Sequence, residues 1–160
     1  MPELYPHLFN VDNTRNLVVV VEDGEVVSHI GTIRRDASIM GCRVRAASLG
    51  GVGTRKSHRG KGHATALFDE TMRRCRAEGV DFIHVSGYRK IYHRYGCRYV
   101  GSDVEYQVTS EQAESFGDGD IELAAVTVDD AADLAAIYRR EPVRWMRVPG
   151  DFGHAISGFV

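Results

Sequence analysis

Very little in this sequence is extreme, and each scarcity excludes something. Cysteine is rare: Cys42, Cys75 and Cys97 lie far apart, and no two have C-x-x-C spacing. An odd, scattered set excludes a disulfide framework and a cysteine zinc site, so no metal is expected. It suits reduced thiols, core or half-buried, in a cytoplasmic protein. Neither sign of charge dominates: 20 Lys and Arg stand against 22 Asp and Glu, for a net charge of -2. A nucleic-acid binder held by phosphate contacts would be more basic. Apolar runs are short, Leu17 to Val21 being typical, so no membrane span is expected. The first residues carry no basic-then-apolar signal segment.

What is present is ordinary globular material. The 160 residues are 43% hydrophobic and 26% charged, enough apolar content for one domain with a real core. The run Leu17 to Val21 is β-branched and stops at Asp23-Gly24, a strong hairpin signal. Glu25 to Ile33 returns, Gly41 marks another turn, and Cys42 to Val52 follows. Asn16 to Val52 therefore reads as an antiparallel meander of three or four strands. Leu49 to Gly53 is almost all apolar or glycine, as expected of a central strand that something approaches closely.

Arg55 to Gly62 is a basic, glycine-containing loop. After it Ala64, Leu67, Phe68, Thr71, Met72 and Cys75 recur at helical spacing, and Gly79 closes the helix. Arg73, Arg74 and Arg76 read as its solvated face. Phe82 to Val85 is the next strand, Lys90 to Tyr95 a short helix closed by Gly96, and Cys97 to Val100 with Val104 to Val108 a last strand pair. Glu111 to Asp120 reads as a linker. Ile121 to Val128 is strand-like, Thr127 to Asp130 opens a helix that Pro142 stops, and Phe152 to Phe159 suggests another. Trp145 is read as a packing residue.

The chemistry concentrates between Val52 and Ala64. A tight glycine loop between a buried strand and a helix start leaves backbone N–H groups uncovered, and the helix end adds orphan donors and partial positive charge. That makes an anion cradle, most naturally for a pyrophosphate, with Arg55, Lys56, Arg59 and Lys61 adding charge. Neither common nucleotide signature fits. Gly60-Lys61 is followed by Gly62, where a P-loop needs Ser or Thr, and Thr65 stands where a dinucleotide loop needs its third glycine.

Arg59, Gly62 and Ala64 instead match Q/R-x-x-G-x-G/A, and the loop resembles the acetyl-coenzyme A signature of the GCN5-related N-acetyltransferases (GNAT). The stretch Ile91 to Gly101 is similar to that family's L-Y-x-x-x-G-F-x-x-x-G, with Cys97 in place of the usual aromatic. Lys56 stands where many members carry proline. The resemblance covers roughly residues 10 to 108, and Gly87 to Tyr92 looks closest to the enhanced-intracellular-survival type.

The resemblance implies an α/β (α+β) fold, a mostly antiparallel mixed sheet flanked by helices. It implies acetyl-CoA as co-substrate and a small-molecule or peptide amine as acceptor, attacked directly in a ternary complex. Backbone groups of Val52 and Thr54, flanking Gly53, would hold the pantetheine arm. Backbone N–H groups of Arg59, Gly60, Lys61, Gly62, His63 and Ala64 would hold the pyrophosphate. Tyr92 falls at the family's usual general acid, with Tyr95 and Tyr88 as rivals. Many members place a glutamate on the central strand as base, and Ala46 to Val52 has no carboxylate. His84 is the nearest candidate. An alternative reading is a non-catalytic acetyl-CoA sensor, or one half of a tandem enzyme.

The order of elements is unusual for that family. Residues 1–110 resemble its acetyl-CoA-binding core without the first strand and helix, and residues 111–160 resemble the missing opening. They either close the same sheet, in cis or by exchange in a homodimer, or begin a second repeat. Closure predicts that Ile121 to Val126 pairs beside Leu17 to Val21, because a bare sheet edge and face are aggregation hazards.

Overall fold

The structure is a computed structural model and describes residues 5–100, 105, 107–115, 119 and 125–157. Three strands form the antiparallel meander: β1 (Leu17–Glu22), β2 (Glu25–Ile39) and β3 (Cys42–Thr54). Both hairpins turn where the glycines stand, through Asp23-Gly24 and Met40-Gly41, all four with positive φ. Helix α1 (His63–Ala77) crosses over to β4 (Phe82–Val85), which pairs in parallel with β3. The short helix α2 (Lys90–Arg94) follows.

The pleat sorts the two faces. In β1, Val18 and Val20 pack against the core, whereas Val19 and Val21 are exposed. Helix α1 lies on the first face with Leu67, Phe68, Thr71 and Cys75 turned inward. Phe68, Leu67, Ile30, Leu49 and Tyr92 make the central buried cluster, and Ile83, Val85 and Val52 border it. The outward Arg73 and Arg74 both bind Glu70, holding that carboxyl down to about 2. Burial pushes the Cys75 thiol up, with Arg34 opposing it.

The second face is covered by residues that local pattern does not assign to it. A turn at Tyr5–Phe9 and a 3-10 helix at Val11–Asn16 lay Leu8 and Phe9 across the sheet. A Cβ on Gly31 would meet Leu8 and Leu17 at 2.8 Å, and one on Gly51 would meet Phe9 at 2.8 Å. The glycines of the central strands thus form the seat of Leu8, which is 3% exposed. Asn13 locks this segment down, donating to the carbonyls of Leu8 (2.8 Å) and Thr32 (3.1 Å).

The rest of that cover comes from the C-terminal part. Helix α3 (Ser110–Ser115), with no buried residue, overlaps the start of the expected linker and is not part of that cover. Helix α4 (Ala131–Tyr138) starts as expected at Thr127 to Asp130, where the Asp130 carboxylate accepts from Thr127 N at 2.7 Å. That hydrogen bond holds Asp130 below its usual range. On this helix Ala135 is buried, while Ile137 is 60% exposed.

A strand missed in the sequence, β5 (Val143–Trp145), pairs with Ala37, Ser38 and Ile39 of β2. It continues along the β2 edge that β1 leaves free beyond Gly31. Helix α5 (Pro149–Ser157) follows, starting three residues earlier than expected.

Other expectations need correction. Cys97 to Val100 forms no strand: α2 ends in a tight turn that commits the Cys97 N–H to the Tyr92 carbonyl, and the segment has no ladder partner among the described residues. The rest of that pair falls partly outside the described residues, as does Ile121 to Ala124 of the segment expected beside β1. Ala125 and Val126 carry no strand. Cys42 is exposed at a hairpin turn instead of semi-buried.

Candidate functional site

Strands β3 and β4 part company at the site. Their pairing runs from Ala46 opposite Phe82 to Leu49 opposite Val85 and stops. β3 continues to Thr54, so Gly50 to Thr54 has no β4 partner among the described residues. That exposed edge offers backbone donors and acceptors to an extended ligand. The loop from Arg55 to Gly62 leaves directly from its end.

Gly60 (φ +82°) and Gly62 (φ +85°) both adopt the left-handed conformation, and a Cβ on either would meet nothing within 4 Å. The cradle is open, as a bulky anion requires. Gly62 is the N-cap of α1 and has no side chain to satisfy the first-turn N–H groups. Those donors and the helix dipole point into the same space.

Glu22, at the end of β1, sits under the loop. Lys61 Nζ lies 3.1 Å from its carboxylate, His63 Nε2 2.9 Å and His58 Nε2 3.4 Å. The Lys61 hydrogen bond, above all, holds the Glu22 carboxyl below its ordinary range. These contacts order the loop side chains before any ligand arrives. Glu22 was not visible as a site residue, since nothing in its hairpin marks it as a partner of residues forty positions on.

Two neighbouring arginines already use carbonyls of the expected pantetheine edge. Arg89 donates to Val52 O at 3.1 Å, and Arg59 Nε to Thr54 O at 3.4 Å. Thr54 Oγ1 shares a 2.8 Å hydrogen bond with Ser28.

The three tyrosines separate cleanly. Tyr88 is 81% exposed. Tyr95 donates its hydroxyl to Asp69 at 2.6 Å. Burial and that carboxylate push its phenol up to about 12. Tyr92 is 7% exposed, its ring 5.7 Å from Phe68 and bordering Gly87 at the end of β4.

His84 lies on the other face, exposed, with its ring 6.0 Å from that of Trp145. The structure does not bring Tyr92 and His84 into contact; the sheet stands between them. Ser48, paired in register with His84, is what the central strand presents on the His84 side. Among the described residues, no group of His, Cys, Asp and Glu could hold a metal ion, and no helix is long and apolar enough to cross a membrane.

A family model described as the acetyltransferase (GNAT) domain matches residues 6–100. The chain belongs to this GNAT family. The matched span runs from the Leu8 cover through the glycine loop to the turn after α2, so it includes β1 to β4, α1 and α2, and leaves out β5 with Trp145.

Solved structures agree on the GNAT fold. A mutant protein from Bacillus halodurans superposes with a TM-score of 0.52 at 16% identity, over 58% of this chain and 65% of that one. A transcriptional regulator from the same organism gives 0.51 at 17%, over 61% and 70%. A conserved protein from Enterococcus faecalis, described as a probable N-acyltransferase, gives 0.50 at 19%, over 59% and 23%. The match thus spans under a quarter of the Enterococcus protein's length and just under two thirds of the Bacillus mutant's. At these identities the likeness is one of fold. No curated protein matches the sequence.

Proposed function

We propose that this GNAT domain binds acetyl-CoA and transfers its acetyl group to an amine. The observation that carries this reading is the open left-handed Gly60–Gly62 cradle opening α1, placed where β3 runs past its last β4 partner. N–H groups from Arg59 to Ala64 receive the pyrophosphate. Val52 and Thr54 offer the strand edge to the pantetheine amides, for which Arg89 must release Val52 O. The bound thioester supplies an activated acyl group; the protein supplies orientation and proton management.

The Tyr92 phenol gives its proton to the departing thiolate as the carbon–sulfur bond breaks. Its rivals fit less well: the Tyr95 hydroxyl is committed to Asp69 and Tyr88 is in solvent. His84 takes the proton lost by the attacking amine, through water, since its side chain is exposed on the acceptor side of the sheet. The wording of Gly87 to Tyr92 supports kinship with the enhanced-intracellular-survival type.

A second reading keeps acetyl-CoA binding without turnover, and the absence of a central-strand carboxylate favours it; Ser48 occupies that face. Thermal shift with acetyl-CoA tests binding, and thiol release over an amine panel separates the two. Stabilisation without release to any amine selects the binding module, and no stabilisation at all removes both.

A further inference from the structure

The face opposite α1 holds a pocket of about 130 Å³ lined by His7, Ile33, Arg35, Ser48, Trp145 and Arg147. It shares His7, Ile33 and Arg35 with a neighbouring cleft of about 730 Å³. Ser48 in its floor pairs with His84 one position before β3 and β4 part. The pocket therefore lies on the acceptor side of the proposed reaction.

Its charge is lopsided. Arg35 gives one nitrogen to Asp151 Oδ1 at 3.0 Å, and the other Asp151 oxygen accepts from Val148 N. Arg147 has no acidic partner among the described residues, and its Nε is buried without a hydrogen bond. Its guanidinium is stacked instead, 5.1 Å from the Tyr138 ring and 5.9 Å from that of Phe152. Aromatic stacking fixes the plane of the fork but satisfies none of its in-plane donors. A half-buried guanidinium whose Nε is buried without a partner is costly unless an anion completes it.

The geometry points to an acceptor that carries a carboxylate as well as its amine, the carboxylate seated on Arg147 beside Arg35. This inference rests on the acetyltransferase reading and names its substrate class. A planar carboxylate matches the guanidinium fork and takes two donors at once. The pocket has room for about four water volumes, enough for a carboxylate and a short alkyl spacer. Polycationic amines bring further positive charge against Arg35 and Arg147 and are disfavoured.

The test uses the full chain saturated with coenzyme A. α-, β- and γ-Amino carboxylates, each beside its own carboxamide, and spermidine are titrated by calorimetry. The same panel is run with acetyl-CoA for thiol release. At least one carboxylate is expected to bind roughly 10- to 100-fold tighter than its carboxamide, the range of a charge-assisted bond lost. Arg147→Gln is expected to erase that difference, and Arg147→Lys to retain part of it, which loss of folding alone would not do.

Carboxamides or spermidine binding as well as every carboxylate overturns the inference. So does discrimination that survives in Arg147→Gln. Discrimination without thiol release upholds the pocket and removes the catalytic reading. Thiol release to carboxamides or spermidine without carboxylate preference does the reverse.

Discussion

On the α1 side of the sheet, Ile30, Leu49, Leu67, Phe68 and Tyr92 form one buried cluster from elements adjacent in the chain. On the other side the cover is assembled from the chain's two ends: Leu8 and Phe9 from before β1, Trp145 and Phe152 from far after β4. Phe82 and His84 of the sheet meet Trp145 there at ring distances of 6.4 and 6.0 Å. The first side carries the glycine cradle and Tyr92; the second carries the arginine pocket and His84. In the proposed reaction, cofactor handling would fall to a local, self-contained half, and acceptor handling to the half that depends on long-range closure. Variants on the two faces should therefore fail differently.

The largest effect is expected from Tyr92→Phe. Turnover should fall roughly 10²- to 10⁴-fold, the usual worth of a general acid, with acetyl-CoA affinity nearly unchanged. Stopped-time thiol release and calorimetry measure the two, and unchanged turnover would remove Tyr92 as the acid.

Leu8→Ala tests the second face. It empties the seat formed by Gly31 and Gly50 and should cost about 2–5 kcal/mol in denaturant unfolding. Acetyl-CoA affinity of the folded fraction should change little. An equal loss of both would mean that the two faces are not separable.

Gly62→Val sharpens the cofactor side. A β-branched residue at φ +85° is strained by about 1–2 kcal/mol and fills the open cradle. Acetyl-CoA affinity should fall at least roughly tenfold, by calorimetry. Arg89→Ala should act in the opposite direction and more weakly. It frees Val52 O, so acetyl-CoA should bind about two- to threefold tighter. Weaker binding would instead give Arg89 a ligand contact of its own.

The smallest effect concerns pH. Tyr95, half-buried and bonded to Asp69, is raised to about 12, so its neutral form is the one folding favours. That stability is complete below the ordinary phenol value near 10 and is lost as pH rises through about 12. Phenolate absorbance should show one tyrosine lagging to about pH 12, and Asp69→Asn should bring it down. No change in that variant would mean burial alone holds it.

Legibility followed the same division. The hairpins at Asp23-Gly24 and Met40-Gly41, the face of α1 and the glycine loop were readable because each is encoded by neighbours in the chain. Leu49 to Gly53 even signalled a close approach, without saying that Leu8 and Phe9 make it. Strand β5 was missed because three residues carry too little period for a pattern, and the β2 edge decides their conformation. The strand expected at Cys97 to Val100 failed for the same reason in reverse: extended propensity with no partner among the described residues makes no ladder. Glu22 and Arg147 were invisible as site residues, since their roles come from groups far along the chain.

By itself the sequence determined the meander, the helix that follows the cradle, and the positive-φ positions that open it. These rest on turn chemistry and side-chain periodicity, which act over a few residues. Only the tertiary structure decided that Tyr92 and not Tyr95 keeps an uncommitted place beside the core. It alone set His84 on the opposite face and gathered Arg35, Arg147 and Trp145 into one pocket. Those outcomes depend on which surfaces a distant segment buries, and burial is a property of the whole chain.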